Sequence, residues 1–310
     1  MNTHQAKASA IVSQSDQAAI ELVTNSLTND HSKRAYSKAL TDFLAWRAGR
    51  PINKALVNEY RQTLTGSPAT INLRMSAIRK LADEGADNSL LDRADANGIM
   101  KIKGVSSHGV RAGNWLTKQQ AQQILTAPQL TDDEGRASMK AYRDRAVLAV
   151  MIGAGLRRSE VAALTFDHIQ QRESRWVIVD MIGKGGHVRS VPIASWVKLA
   201  IDEWAAVAGI TSGLVFQAIH KGGHITHESM TPQAIRDIVK HYAAVIGLPE
   251  LAAHDLRRTH AKLAHKGGAG VDQIQLSLGH KSLKTTEKYL GVSQSLTDAP
   301  GDRLGLTLGE

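Results

Sequence analysis

A chain of 310 residues is long enough for two cores of ordinary size, and its 38 Lys/Arg against 29 Asp/Glu, with a pI near 9.7, favour nucleic acid over a neutral small molecule as partner. Zero cysteine excludes disulfides, thiolate metal sites and cysteine nucleophiles, and suits a reducing compartment. The N-terminus has no apolar signal region and the longest apolar run, Ala146 to Leu156, falls short of the ~20 residues a membrane span needs, so a cytoplasmic, nucleoid-associated protein without a membrane partner is expected.

The first residues, 1–14, are polar and small, as in a mobile arm. From Ser15 to about Leu91 the pattern is helical. In His31 to Ala48 the apolar residues Ala35, Tyr36, Ala39, Leu40, Phe43, Leu44 and Trp46 follow helical spacing, with Lys33, Arg34 and Lys38 elsewhere on the helix. A second strong helix starts at Ser67-Pro68, a cap followed by a first-turn proline. It turns Ile71, Met75, Ile78 and Leu81 inward and leaves Arg74, Arg79 and Lys80 outward. Such charges commonly form a solvated helix face. Residues 1–112 carry 15 Lys/Arg against 10 Asp/Glu and the remainder 23 against 19, so both halves are basic and DNA phosphate contact is the sharper expectation for these six cations.

Periodicity is lost over 101–113, which reads as an interdomain linker after a domain spanning 15–100. Thr117 with Gln120 then forms a capping-box pattern. Helices are expected at 117–126, 136–153 and 159–164. Trp176–Val179 and His187–Ile193 are β-rich runs around the turn Gly183-Lys184-Gly185-Gly186, which reads as a hairpin. Further helices follow at 194–207, 232–246, 254–264, 271–278 and 283–289. The fold class is thus mainly α with a small β-sheet (α+β), a helical N-terminal domain followed by a mixed α/β domain over 114–292 and a tail over 293–310.

Several residues suit attack on a phosphodiester. Its pentavalent state gathers negative charge, which fixed arginine forks stabilise; Arg157 in Gly155-Leu156-Arg157-Arg158-Ser159-Glu160 and Arg257 in His254-Asp255-Leu256-Arg257 are the candidates. His254 and Arg257, three apart, share a helix face. Lys184, at a hairpin tip, can protonate a leaving alkoxide. His280 follows Leu278-Gly279, a helix end that projects the imidazole, and Tyr289 is a potential nucleophile once cations stabilise its phenolate. Taken singly, each has a plainer reading: a surface arginine, a capping histidine, a turn lysine in solvent, a packing tyrosine. The stretch His220, His224, His227 reads as a polar glycine-rich loop rather than a metal site.

In order and spacing together, these residues resemble the tyrosine recombinase/integrase family over nearly the whole chain. Gly155 to Glu160 is similar to its first arginine box, Gly183 to Gly186 to its hairpin lysine, His254 to Thr259 to its His-x-x-Arg box, and Leu278 to His280 with Tyr289 to its closing boxes. The resemblance implies a helical core-binding domain and a catalytic domain forming a C-shaped clamp on double-stranded DNA, closer to the compact Xer-like and Cre-like members. It implies Tyr289 as nucleophile forming a 3′-phosphotyrosine, Arg157 and Arg257 as phosphate clamps and Lys184 as general acid. His254 and His280 would orient the phosphate, and Glu160 would buttress the site. No cofactor, ATP or metal is implied. The implied assembly is a homo-tetramer on two recombination sites passing through a Holliday junction, with a second recombinase or a DNA-bending factor as further partners. The task would be integration, excision or resolution of a mobile element. A type IB topoisomerase-like relaxation and a catalytically silent DNA-binding protein are the alternatives.

Overall fold

The computed structural model describes residues 13–106, 114–132, 134–183, 186–220 and 222–290, with the side chains of residues 288 and 289 outside that description. Most of the expected arm, part of the linker, Lys184 and the tail therefore lie outside the described residues. The chain divides into two compact units between Arg111 and Ala112.

The first unit is helical: α1 (Gln14–Asn25), α2 (Asp30–Arg47), α3 (Lys54–Thr63), α4 (Pro68–Asp87) and α5 (Arg93–Met100). Side chains start most of these helices. Asn29 accepts from the Ser32 amide, Asn53 from Leu56 and Ser67 from Thr70, each satisfying an amide that the helix leaves without a partner. The apolar stripe of α2 is the expected one, with Ala39, Leu40, Phe43 and Leu44 buried against Val57, Tyr60, Met75, Ile78 and Leu81. Helix α5 lies beyond the apolar pattern read from the sequence. Asp92 caps it, accepting from the amides of Ala94 and Asp95, and Ile99 anchors it in the core.

The second unit holds α6 (Lys118–Thr126), α7 (Met139–Gly153) and α8 (Arg158–Ala162), then β1 (Ile169–Arg172), β2 (Arg175–Ile182) and β3 (Val188–Ile193). After these come α9 (Ser195–Ala208), β4 (Gln217–Ile219), β5 (Ile225–Ser229), α10 (Pro232–Val245), α11 (Ala253–Lys266), α12 (Val271–Leu278) and α13 (Leu283–Leu290). Most of the longest apolar run forms the C-terminal half of α7, where Ala146 to Ile152 are all buried and leave that half no polar face. The helix packs against α9, α11 and α8. The capping box at Thr117 and Gln120 forms as expected.

Helix α7 begins at Met139 rather than near Arg136, because Thr131 and Ala137 pair across a short turn before Ser138 caps it. The antiparallel sheet has the order β1-β2-β3, one strand more than the hairpin read from the sequence. β1, Ile-Gln-Gln-Arg, is short and polar, so its pairing with β2 comes from the tertiary fold rather than from its own propensity. β2 carries a bulge between Ile178 and Met181, with Asp180 in the left-handed region at φ 55, and a bulge of this kind bends a strand locally. The glycine-rich stretch is the turn of the β4–β5 hairpin, with His227 in β5, and it is closed by the His220 amide donating to the His224 carbonyl at 2.7 Å. Among the described residues no three His, Asp or Glu side chains come together as a metal site, and no helix is long and apolar enough to cross a membrane.

Candidate active site

Arg157 stands at the N-cap position of α8 in extended backbone, directly after a turn at Gly155. Gly155 has φ +62, and a Cβ there would come within 2.8 Å of the His260 ring, so both conformation and space demand glycine. His260 is held beneath the turn by the Ile152 carbonyl, 2.9 Å from its Nδ1. Glu160, only 3% exposed, draws Arg157 back over the helix: the Arg157 amide donates to Oε2 at 2.7 Å and Nη1 to Oε1 at 2.8 Å. A second arginine, Arg189 of β3, donates its fork to the same two oxygens. Burial works to raise the Glu160 carboxyl, but the hydrogen bonds from Arg189 and from Arg157, with the Arg189 charge, outweigh it and hold the group below its ordinary value.

Arg257 is 1% exposed on α11. Its Nη1 donates to the Gly155 carbonyl at 2.5 Å and its Nη2 to the Leu278 carbonyl, joining the Arg157 turn to the end of α12. His254, one turn earlier, stands at the surface. Its imidazole is held low by partial desolvation and by the charges of Arg257, Arg258 and Arg157. Arg157, His254 and Arg257 line one cleft of about 440 Å³, which Arg158, Arg236 and Lys240 extend with further positive charge. Such a cleft suits a polyanion.

α12 ends at Gly279, φ +62, and the chain turns there to present His280. The His280 Nδ1 lies 3.0 Å from the hydroxyl of buried Thr286 on α13. Burial first, then the charges of Arg257, Arg157, His254 and Arg189, push the imidazole down to about 4. His280 is therefore neutral at pH 7. Because this value lies below the ordinary 6.5, its contribution to stability is complete above that pH and is lost as pH falls toward 4. In a titration of the free protein followed by histidine NMR, His280 should titrate near pH 4; a midpoint of 6 or above would contradict the cation-crowded placement.

Tyr289 lies in α13, which is tied down at its middle and at its C-terminal end. Thr286 meets His280, Leu290 is buried with Ala261, Ile274 and Leu278, and the Lys262 Nζ donates to the Leu290 carbonyl. Lys184 lies outside the described residues. A Cβ on its neighbour Gly183 would be 3.6 Å from the Arg157 Nη1, so the base of the hairpin tip meets the cation cluster.

The structure thus gathers Arg157, Glu160, His254, Arg257 and His280 in the second unit. The six cations proposed for DNA contact belong to the first unit. There Lys38 and Arg74 approach Asp42 at 4.0 and 3.3 Å, Lys80 pairs with Glu84 at 2.8 Å, and Arg34 is exposed and Lys33 half-buried. Arg79 donates to the carbonyls of Met75 and Ile102, which ties α4 to the chain after α5. Arg189, His260, Lys262 and Thr286 support this site from outside the boxes legible in the sequence. Arg189 alone left a signal: strand alternation places it on the face of Val191 and Ile193.

The phage integrase family profile matches residues 114–295, more than half of the chain and the whole of this cation cluster. The chain belongs to the phage integrase family. Among curated relatives of this family member, tyrosine recombinase XerC of Rhodospirillum centenum is 30% identical over 285 residues, covering 84% of this chain and 77% of its own. Tyrosine recombinase XerD of Vibrio cholerae is 27% identical over 280 residues, 85% of this chain and 86% of the relative. The match to XerD of Proteus mirabilis, 31% identical, spans 57% of this chain and 55% of that relative. The integrase fold is shared with XerH bound to palindromic difH substrate in a post-cleavage complex, at TM-score 0.68 and 19% identity over 91% of this chain and 87% of that one. It is shared too with a lambda integrase dimer bound to a COC′ core site, at TM-score 0.66 and 15% identity over 90% and 95%. This family member is accordingly a tyrosine recombinase.

Proposed function

We propose that this tyrosine recombinase cleaves and rejoins double-stranded DNA at specific sites. The observation that carries the reading is one electropositive cleft, lined by Arg157, His254 and Arg257, in the same unit as His280 and the tied-down helix of Tyr289. Arg157 and Arg257 clamp the non-bridging oxygens of the scissile phosphate, where negative charge grows in the transition state. The Tyr289 oxygen attacks phosphorus as the bond to the 5′-oxygen breaks. The phenolic proton is lost toward the histidines or solvent, and Lys184 protonates the departing 5′-oxygen. A 5′-hydroxyl from a second strand reverses the step and releases the tyrosine. His280, neutral at pH 7, donates or accepts a hydrogen bond without adding fixed charge, and Glu160 holds Arg157 in place.

Residues 15–100 serve as the core-binding domain, where Lys33, Arg34, Lys38, Arg74, Arg79 and Lys80 meet phosphates, and residues 114–292 serve as the catalytic domain. Four copies on two sites would exchange strands through a Holliday junction, in the cytoplasm at the nucleoid, to integrate, excise or resolve a mobile element. A second recombinase or a bending factor completes the assembly. The covalent link retains the phosphodiester energy, so neither ATP nor metal is required.

The test is to denature the protein on cellular DNA in EDTA, isolate the covalent complexes and sequence the attached DNA. The expected result is a discrete set of sites joined through their 3′-phosphates, with free 5′-hydroxyls. Relaxation of any supercoiled plasmid without defined sites would assign a topoisomerase instead, and absence of any covalent complex on nicked half-sites would assign a silent DNA-binding protein.

A further inference from the structure

Arg189 is a cation of this unit to which the proposed chemistry gives no part, and every nitrogen of its guanidinium is engaged. Its side chain is 8% exposed. Nη1 and Nη2 donate in parallel to the two Glu160 oxygens, both at 2.9 Å, and Nε donates to the Ser277 carbonyl at 2.8 Å. The Glu160 oxygens also hold the amide and guanidinium of Arg157. The carbonyl after Ser277, that of Leu278, receives Arg257. Two buried guanidinium groups thus read consecutive carbonyls at the C-terminal end of α12, the end where the helix dipole favours positive charge. Gly279 and His280 follow at once, and Gly279 packs so closely that a Cβ there would lie 2.9 Å from the Arg189 Cδ. Arg189 itself projects from β3, whose hairpin with β2 carries Gly183. Three separate pieces of chain, the Arg157 turn, the hairpin and the His280 turn, meet on one side chain.

Building on the recombination reading, we infer that Arg189 is a positioning residue for strand cleavage, fixing the Arg157 guanidinium through Glu160 and the His280 turn through Ser277. A lysine keeps the charge at this place but gathers its three N–H donors on one nitrogen, so it cannot reproduce the parallel fork on both Glu160 oxygens together with the separate Nε bond to the Ser277 carbonyl. A purely structural ion pair behaves differently, since its loss lowers stability and leaves the folded molecule fully active.

The variants are Arg189→Lys and Arg189→Gln, each checked for a native near-UV circular dichroism spectrum. The DNA is a nicked half-site carrying a sequence recovered from the wild-type covalent complex. Folded variants should bind it within about threefold of wild type, while single-turnover cleavage falls about 100-fold, the loss expected from a displacement of about 1 Å in the reacting geometry. In histidine NMR without DNA, the His280 ring resonance should move while that of His31, in the first unit, stays. Wild-type cleavage rates in a folded variant, or an unmoved His280 resonance, overturn the inference. So does failure of both variants to fold, which assigns Arg189 to stability alone. If the wild-type protein forms no covalent complex, the recombination reading fails on that control, and the histidine spectrum decides the role of Arg189 separately.

Discussion

Replacing Glu160 with alanine should lower the stability of the second unit by about 3–5 kcal/mol at pH 7, the usual result of removing one partner of a buried ion pair. Glu160 accepts four hydrogen bonds, two from Arg157 and two from Arg189. Without it the Arg189 fork stays buried and keeps only the Ser277 carbonyl. The pH dependence follows from the depressed carboxyl. Its folded value lies below the ordinary carboxylate value, so the stabilisation is fully present above about pH 4.3 and is lost as pH falls through the folded value. Urea unfolding of wild type and Glu160→Ala between pH 7 and pH 3 measures this. The difference should be large and constant from pH 7 down to 5 and should then narrow. A difference under about 1 kcal/mol at pH 7, the scale of an exposed pair, would mean that the carboxylate is not the buried anchor its four donors indicate.

Tyr289→Phe should reduce covalent complex on a half-site by at least about 10⁴-fold, as loss of a sole nucleophile does. Half-site affinity should stay within about fivefold, because one hydroxyl is worth about 1 kcal/mol of binding. The specificity of this prediction rests partly on the other four tyrosines. Tyr60 is buried in the first unit, and burial raises its phenol. Tyr242 is buried beside Asp144, to which its hydroxyl donates at 3.3 Å; burial and then the Asp144 charge raise its phenol further still. Raised phenols yield little phenolate and make poor nucleophiles. Tyr142 lies under the Arg145 guanidinium, 5.2 Å from ring centroid to Cζ, and Tyr36 packs on the core of the first unit. Mass spectrometry of the digested complex should find the nucleotide on the peptide that contains residue 289. A covalent complex formed by the phenylalanine variant, or a nucleotide on another tyrosine, would remove Tyr289 from its role.

Much of this protein was legible because local chemistry recorded it. Ser67 with Pro68, and Thr117 with Gln120, mark helix starts through backbone hydrogen bonds made within three residues. The stripe of Ala39, Leu40, Phe43 and Leu44 marks a face that must be buried. Gly155 and Gly279 mark positive backbone angles, and each precedes a candidate site residue by one or two positions. Other elements left no such record. α5 and β1 are short, and β4 and β5 are short strands with few apolar side chains, so they exist because neighbours pair with or cover them.

By itself the sequence determined the two-part organisation, the helical class with its hairpin, and the order of the candidate boxes, since spacing, caps and turn residues are properties of neighbouring positions. Only the tertiary structure decided how the arginines are shared: Arg257 between the Gly155 and Leu278 carbonyls, and Arg189 between Glu160 and Ser277. Those partners stand 21 to 102 residues apart. A buried guanidinium takes its geometry from every donor and acceptor packed around it, and no local pattern along the chain carries that information.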